Sequence, residues 1–270
     1  MGNPEKMSSF NMVLITQEDP FYVKVFFEEF LKNYSSLDEV KGVIISPTMG
    51  KKSLTKLVKQ MYDFYGPINF VRVGFRYVWY KVLAKVANIL PINGYYSIEQ
   101  LCKHYGVDVK KVNNINAEDF LHELSELDLD LVVSVAAPQV FKQRLIELPR
   151  YGCINIHGST LPKYRGMLPN FWQIYNGEKN AGTTIHRINA GIDDGDILLQ
   201  KESPIQKGES FDSLATRAKR DGANFMIEAI AGIKSGELKP MPNCQEEATY
   251  YTFPTKKDVR EFLRKGYKLL

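Results

Sequence analysis

Residues Gly152 to Asp196 read GCINIHGSTLPKYRGMLPNFWQIYNGEKNAGTTIHRINAGIDDGD, and the first few of them decide the fold class. Cys153, Ile154, Asn155, Ile156 and His157 form a short strand whose successive side chains point to opposite faces, so Asn155 and His157 share a face. The strand runs straight into a loop punctuated by Gly158, Ser159, Pro162 and Gly166. A rigid strand feeding a polar loop is where an α/β protein presents catalytic side chains, because the strand fixes them and the loop admits substrate. The same pair would also suit an edge strand with two solvated side chains.

Upstream, strand and helix patterns alternate. Phe10 to Thr16 suits a buried parallel strand, and Asp19-Pro20 supplies an N-cap and a first-turn proline for a helix to about Asn33. Val40 to Ser46 is a second strand, Val107 to Val112 a weaker third and Asp130 to Ala136 a fourth, preceded by a helix over Ala117 to Leu127. Downstream, Thr183 to Asn189 and Ile197 to Pro204 read as strands, followed by a helix from Phe211 to roughly Lys234 that Gly236 caps. The expected fold is therefore α/β, a doubly wound and mostly parallel sheet whose ligands sit beyond the carboxyl ends of the strands. Asn155, His157 and the segment Ser134 to Gln139 fall at such ends. Residues 1–237 would make one domain, and 238–270 a short extension with an ATYYTF strand and a basic helix from Lys256, too short for a core of its own.

Ile15-Thr16-Gln17-Glu18-Asp19 follows the first strand where a dinucleotide fold would have G-x-G-x-x-G, and no G-x-x-x-x-G-K-[ST] occurs, so a Gly-rich phosphate cradle is not expected. The chain has 270 residues, 44% of them hydrophobic, and a net charge of +4, too mild for a dedicated nucleic-acid binder unless it is concentrated. It is concentrated between Gly50 and Leu90, where Lys51, Lys52, Lys56, Lys59, Arg72, Arg76, Lys81 and Lys85 face one acid, Asp63. Pro67 divides this segment into two helices, the second apolar over much of its circumference. Three uses suit it: packing on the domain or on the second subunit of a homodimer, lying on an anionic membrane surface, or contacting nucleic acid. Cys102, Cys153 and Cys244 are odd in number and far apart, which suggests neither a disulfide framework nor a zinc site and fits a cytoplasmic protein. No signal sequence or apolar run long enough to span a membrane is apparent, and Lys6 stands where a myristoylation pattern needs Ser or Thr.

Asp193, Asp194 and Asp196 crowd into the loop GIDDGD, and one of them could reach His157. A carboxylate beside an imidazole favours its protonated form, and an Asn amide can donate to a developing oxyanion, so the set suits acid/base work in which the substrate supplies the nucleophile. Ser159 lies in no G-x-S-x-G elbow, Cys153 sits in an apolar strand, and His157 with His186 has no metal-ligand spacing. Spacing alone leaves the choice among the three Asp residues open.

The runs CINIHGSTLPKYRG and NGEKNAGTTIHRINAGIDDGDIL resemble the folate-dependent formyltransferases, a family that includes the glycinamide ribonucleotide, methionyl-tRNA and amino-sugar enzymes. The likeness extends from about Phe10 to Glu237, with Ser159-Thr160-Leu161-Pro162 where many relatives have SLLP. It implies a Rossmann-like fold and transfer of a formyl group from 10-formyltetrahydrofolate to a primary amine, without a metal. Asn155 would polarise the formyl oxygen, His157 would act as acid/base, and Asp193, which the resemblance selects over its neighbours, would hold His157 and relay protons. The pterin would lie against Ser134, Val135, Ala136, Pro138, Gln139, Asn189, Ala190, Gly191 and Ile192. Arg165, Met167, Asn170, Phe171 and Trp172 would receive the acceptor, for which a nucleotide-linked amino sugar is expected ahead of methionyl-tRNA. The tRNA enzymes would be expected to carry a further C-terminal domain. A catalytically idle folate-binding module is the alternative from another class.

Overall fold

The computed structural model describes residues 10–47, 54–90 and 93–270. The myristoylation pattern at the N-terminus and the start of the basic segment, 50–53, lie outside them. Five strands, β1 (Met12–Thr16), β2 (Val40–Ile45), β3 (Val109–Lys111), β4 (Leu131–Val135) and β5 (Cys153–His157), are all parallel. Two more, labelled β7 (Asn180–Arg187) and β8 (Ile197–Pro204) because a two-residue strand β6 (Arg165–Gly166) precedes them, continue the sheet antiparallel. The order is β3-β2-β1-β4-β5-β7-β8, so successive crossovers reverse direction between β1 and β4, the place where a doubly wound sheet opens a crevice. The strands β1, β2 and β4 were legible because parallel strands covered on both faces are nearly continuous apolar runs, whereas β3, with Lys110 and Lys111 exposed, leaves a weaker mark.

Helices α1 (Val23–Asn33), the kinked α2 (Leu54–Ala87), α3 (Ile98–His104), α4 (Glu118–Ser125), the single turn α5 (Gln143–Ile146), α6 (Pro169–Tyr175), α7 (Phe211–Ser235) and α8 (Lys256–Arg264) complete the chain. On one face of the sheet, Leu14, Val43, Val133 and Ile154 meet α1 and α7, where Phe26, Phe27 and Phe30 pack with Ala223, Met226 and Ile230. On the other, Val13, Ile15, Val132 and Cys153 meet Phe120, Leu121 and Leu124 of α4.

Several boundaries differ from expectation: β3 is shorter than Val107–Val112, and β7 spans Asn180–Arg187 rather than Thr183–Asn189. Asp19 does not cap α1 directly; its Oδ1 accepts the N–H groups of Phe21 and Tyr22, at 2.7 and 3.2 Å, in a turn that delays the helix to Val23. The ATYYTF strand shrinks to β9 (Tyr250–Tyr251), because its partner β6 has only two residues. The break at Pro67 is present as expected, with Gly66 at φ 69° supplying a conformation that L side chains rarely adopt. The extension after residue 237 has no separate core. Val259, Phe262 and Leu269 join Phe64 of α2, Phe171 of α6 and Phe211 of α7 in a third apolar cluster.

The loop after β5 is locked against β7 by a close approach at Gly182, where a Cβ would fall on the backbone of Thr160. Gly182→Ala must push that loop away. It is expected to destabilise the protein by about 2 kcal/mol or more, read as a lowered Tm with the urea m-value unchanged.

Candidate active site

Register builds the site. Ser134 of β4 pairs with Asn155 of β5, and Asn155 pairs with His186 of β7, so three polar residues form one row across three adjacent strands. His157 stands two residues further along, opposite Thr184. Antiparallel pairing of β7 onto β5 delivers His186 to this row, and in the sequence only the run of its strand into the acidic loop points that way.

The hydrogen bonds fix the tautomers. A backbone carbonyl only accepts, so His186 donates through Nδ1 to the carbonyl of Arg187 at 2.8 Å, and its Nε2 accepts from the Asn155 amide Nδ2 at 3.1 Å. His186 is therefore neutral, and burial pulls its pKa down to about 4, with the opposing attraction of Asp193 too weak to restore it and the nearby His157 adding to the depression. His157 donates through Nε2 to the Tyr164 carbonyl at 2.8 Å, which leaves Nδ1 facing the Asp193 carboxylate across 3.6 Å.

Asp193 is the hub. Its Oδ2 accepts the Gly166 N–H at 2.9 Å, and its Oδ1 lies 3.6 Å from Nε2 of His186. Of the three loop carboxylates, Asp193 lies beside both imidazoles, whereas the Asp194 side chain folds over Gly191, where a Cβ would overlap it, and Asp196 is exposed. Geometry thus separates residues that spacing left equivalent. Asn243, from the extension, donates to the carbonyls of Asp193 and Gly195 at 2.9 and 3.0 Å and holds the loop shut.

Four non-glycine residues around the site adopt left-handed backbone: Ala136 (φ 53°), Tyr164 (φ 61°), Leu168 (φ 51°) and Asp193 (φ 50°). Such positions cost on the order of 1–3 kcal/mol each and persist where the surroundings over-determine them. Gly166, at φ 96°, has no alternative, since a Cβ there would fall on the carbonyl of Tyr251.

The remaining candidates divide. Ser134, Pro138, Gln139, Asn189, Gly191 and Ile192 line a cavity of about 200 Å³ together with Asn155, His186, Asp193 and Asp194. Val135 is inside the sheet core, Ala136 turns the chain out of β4, and Ala190 is exposed beyond the cavity. On the acceptor side, Phe171 is fully buried against Phe64 and Phe262, and Trp172 is nearly so, with its indole N–H donated to Thr252. Arg165 is buried and bonded to Gln245 and Asn243, and Asn170 donates to the Gly158 carbonyl. Packing thus takes up the rings of Phe171 and Trp172, while Met167 is exposed. Ser159 is buried and donates to Lys163, and burial pushes the Cys153 thiol up, away from the reactive thiolate. Among the described residues, no group of three or more His, Cys, Asp and Glu side chains is arranged to hold a metal ion.

A family model described as formyl transferase matches residues 96–230, the span from α3 into α7 that contains this entire row and loop. The chain belongs to that family. Methionyl-tRNA formyltransferase of Kosmotoga olearia is 32% identical over 214 residues, covering 79% of this chain and 65% of that protein. The same enzyme from Caldanaerobacter subterraneus is 37% identical over 160 residues, covering 59% and 52%. The chain thus spans between about half and two thirds of the length of these relatives. Among solved structures, a sugar N-formyltransferase from a Shewanella species superposes with a TM-score of 0.55 at 21% identity, covering 90% of this chain and 76% of that one. Glycinamide ribonucleotide transformylase 1 from Symbiobacterium toebii gives 0.58 at 18% identity, covering 87% and 92%. At these identities the structures establish the shared Rossmann-like fold, as the resemblance implied and in keeping with the doubly wound sheet expected from alternation.

A His that is neutral in the fold binds fewer protons than in the unfolded chain, whose pKa is near 6.5. Stability from this group is therefore present above pH 6.5 and lost as pH falls towards about 4. His186→Gln is expected to flatten part of that decline. Urea unfolding across this window reads it directly, and parallel slopes for both proteins would contradict the neutral assignment.

Proposed function

We propose that this protein transfers a formyl group from 10-formyltetrahydrofolate to a primary amine. The observation that carries the reading is the assembly of Asn155 and Asp193 on the wall of one cavity with His157 beside Asp193, on a fold shared with folate-dependent formyltransferases. A cavity of about 200 Å³ suits a bicyclic pterin head, with the rest of the donor lying along the strand ends. In the proposed reaction the amine nitrogen attacks the formyl carbon and the oxygen becomes an oxyanion. The second N–H of Asn155, whose first is committed to His186, faces that charge. The C–N bond to the acceptor forms, the bond to N10 of the folate breaks, and the proton lost by the amine passes by way of His157 Nδ1, beside Asp193, to the departing nitrogen. His186 acts through Asn155 as a positioning residue, and its neutral state is what lets it accept the amide.

For the acceptor we favour a nucleotide-linked amino sugar. The exposed ring of Tyr250 lies over Gly166 next to exposed Met167, a flat apolar surface of the kind on which a nucleobase stacks. Structural neighbours include a sugar 3-N-formyltransferase solved with dTDP, which supports the reading without deciding it. Methionyl-tRNA is the second reading, favoured by the names of the relatives in sequence.

Asn155→Ala is expected to lower turnover roughly 10²–10³-fold, and His157→Ala or Asp193→Ala roughly 10²–10⁴-fold, with folding intact. The measurement is release of tetrahydrofolate in an acceptor screen pairing amino-sugar nucleotides with charged tRNA. Full activity in Asp193→Ala would refute the mechanism, and turnover with tRNA alone would move the acceptor to the second reading.

A further inference from the structure

The half of α2 after Pro67 has two unlike faces. One is tied to the domain: Arg76 pairs with Asp212 at 3.2 Å and stacks over Phe21, Tyr80 packs edge-on to Phe21 and Tyr96, and the Ala84 carbonyl accepts from Gln100. The other carries Ile68, Val71, Phe75, Val78 and Val82, spaced three and four residues apart, which at 3.6 residues per turn is one continuous stripe. Trp79 stacks on Phe75 within it. The stripe is bare, with Ile68 75%, Phe75 70% and Trp79 53% exposed, and Ile89 prolongs it at 82%. A run of exposed aromatic and branched side chains over roughly 20 Å of helix is a cost that an isolated surface does not carry without use.

The charges beside the stripe select its occupant. With 100° per residue, Arg72 lies along one margin and Lys85 along the other, and both are exposed, while Lys81 sits further round over Tyr77. No Asp or Glu occurs between Phe64 and Ile98. Two copies of this helix set face to face would therefore bring basic margins against basic margins, with no carboxylate to pair across the seam. An anionic bilayer surface satisfies both features at once: apolar side chains enter the acyl boundary while Arg and Lys at the margins meet phosphate. Among the described residues, no helix is long and apolar enough to cross a membrane, so contact would lie in the plane of the interface.

We infer that this face of α2 docks the protein on the surface of a membrane rich in anionic phospholipid. The inference does not depend on which amine is the acceptor. Co-sedimentation with vesicles of phosphatidylcholine, against vesicles of phosphatidylcholine mixed with phosphatidylglycerol, tests it. Binding is expected to the mixed vesicles, to fall as salt rises, and to move Trp79 emission to shorter wavelength. Phe75→Ser with Trp79→Ser, and separately Arg72→Gln with Lys85→Gln, should each weaken binding on the order of tenfold or more, while Tm stays unchanged. Absence of vesicle binding at low salt, or equal binding by the Phe75/Trp79 variant, would overturn the inference. So would a wild-type dimer that the same variant converts to monomer, which would give the face to a second copy.

Discussion

A carboxylate that is only 15% exposed needs polar neighbours within the protein, and Asp193 meets them on three separate segments. Gly166 supplies a backbone N–H from the loop after β5, while the imidazoles of β5 and β7 stand on either side. The conformation that allows this is left-handed at Asp193 itself, and Asp tolerates that conformation better than most side chains. Because each of these neighbours comes from a different element, the carboxylate is surrounded in this way only when the β5–β7 pairing, the Gly166 turn and the acidic loop are all in place. The antiparallel addition of β7 to an otherwise parallel sheet is thus a condition of the site as well as a variation of the fold.

Much of the architecture was legible because burial on both faces leaves a simple mark. The runs MVLIT, VKGVII and LVVSV can hardly be anything but sheet interior, and Gly66-Pro67 can hardly sit in an unbroken helix. The shared face of Asn155 and His157 followed from alternation alone. What alternation could not supply was pairing across the chain: that His186 would land beside Asn155 depends on a register between residues thirty-one apart in sequence. Side-chain chemistry was equally silent about Phe171 and Trp172. An aromatic ring next to a candidate pocket reads the same whether it faces the ligand or the core, and here the third apolar cluster, completed by α8, claims both. Asp194 is a further case, since the contact of its carboxylate with Gly191 became visible only in three dimensions.

The Asn243 side chain closes the acidic loop from a segment that contributes no strand to the central sheet. During synthesis, the seven strands and their covering helices all precede it, so the sheet can form while the loop still lacks its clasp. The acidic loop gains its clasp only once Asn243 is in place. The order of translation thereby separates the appearance of a folded body from the appearance of an organised active centre.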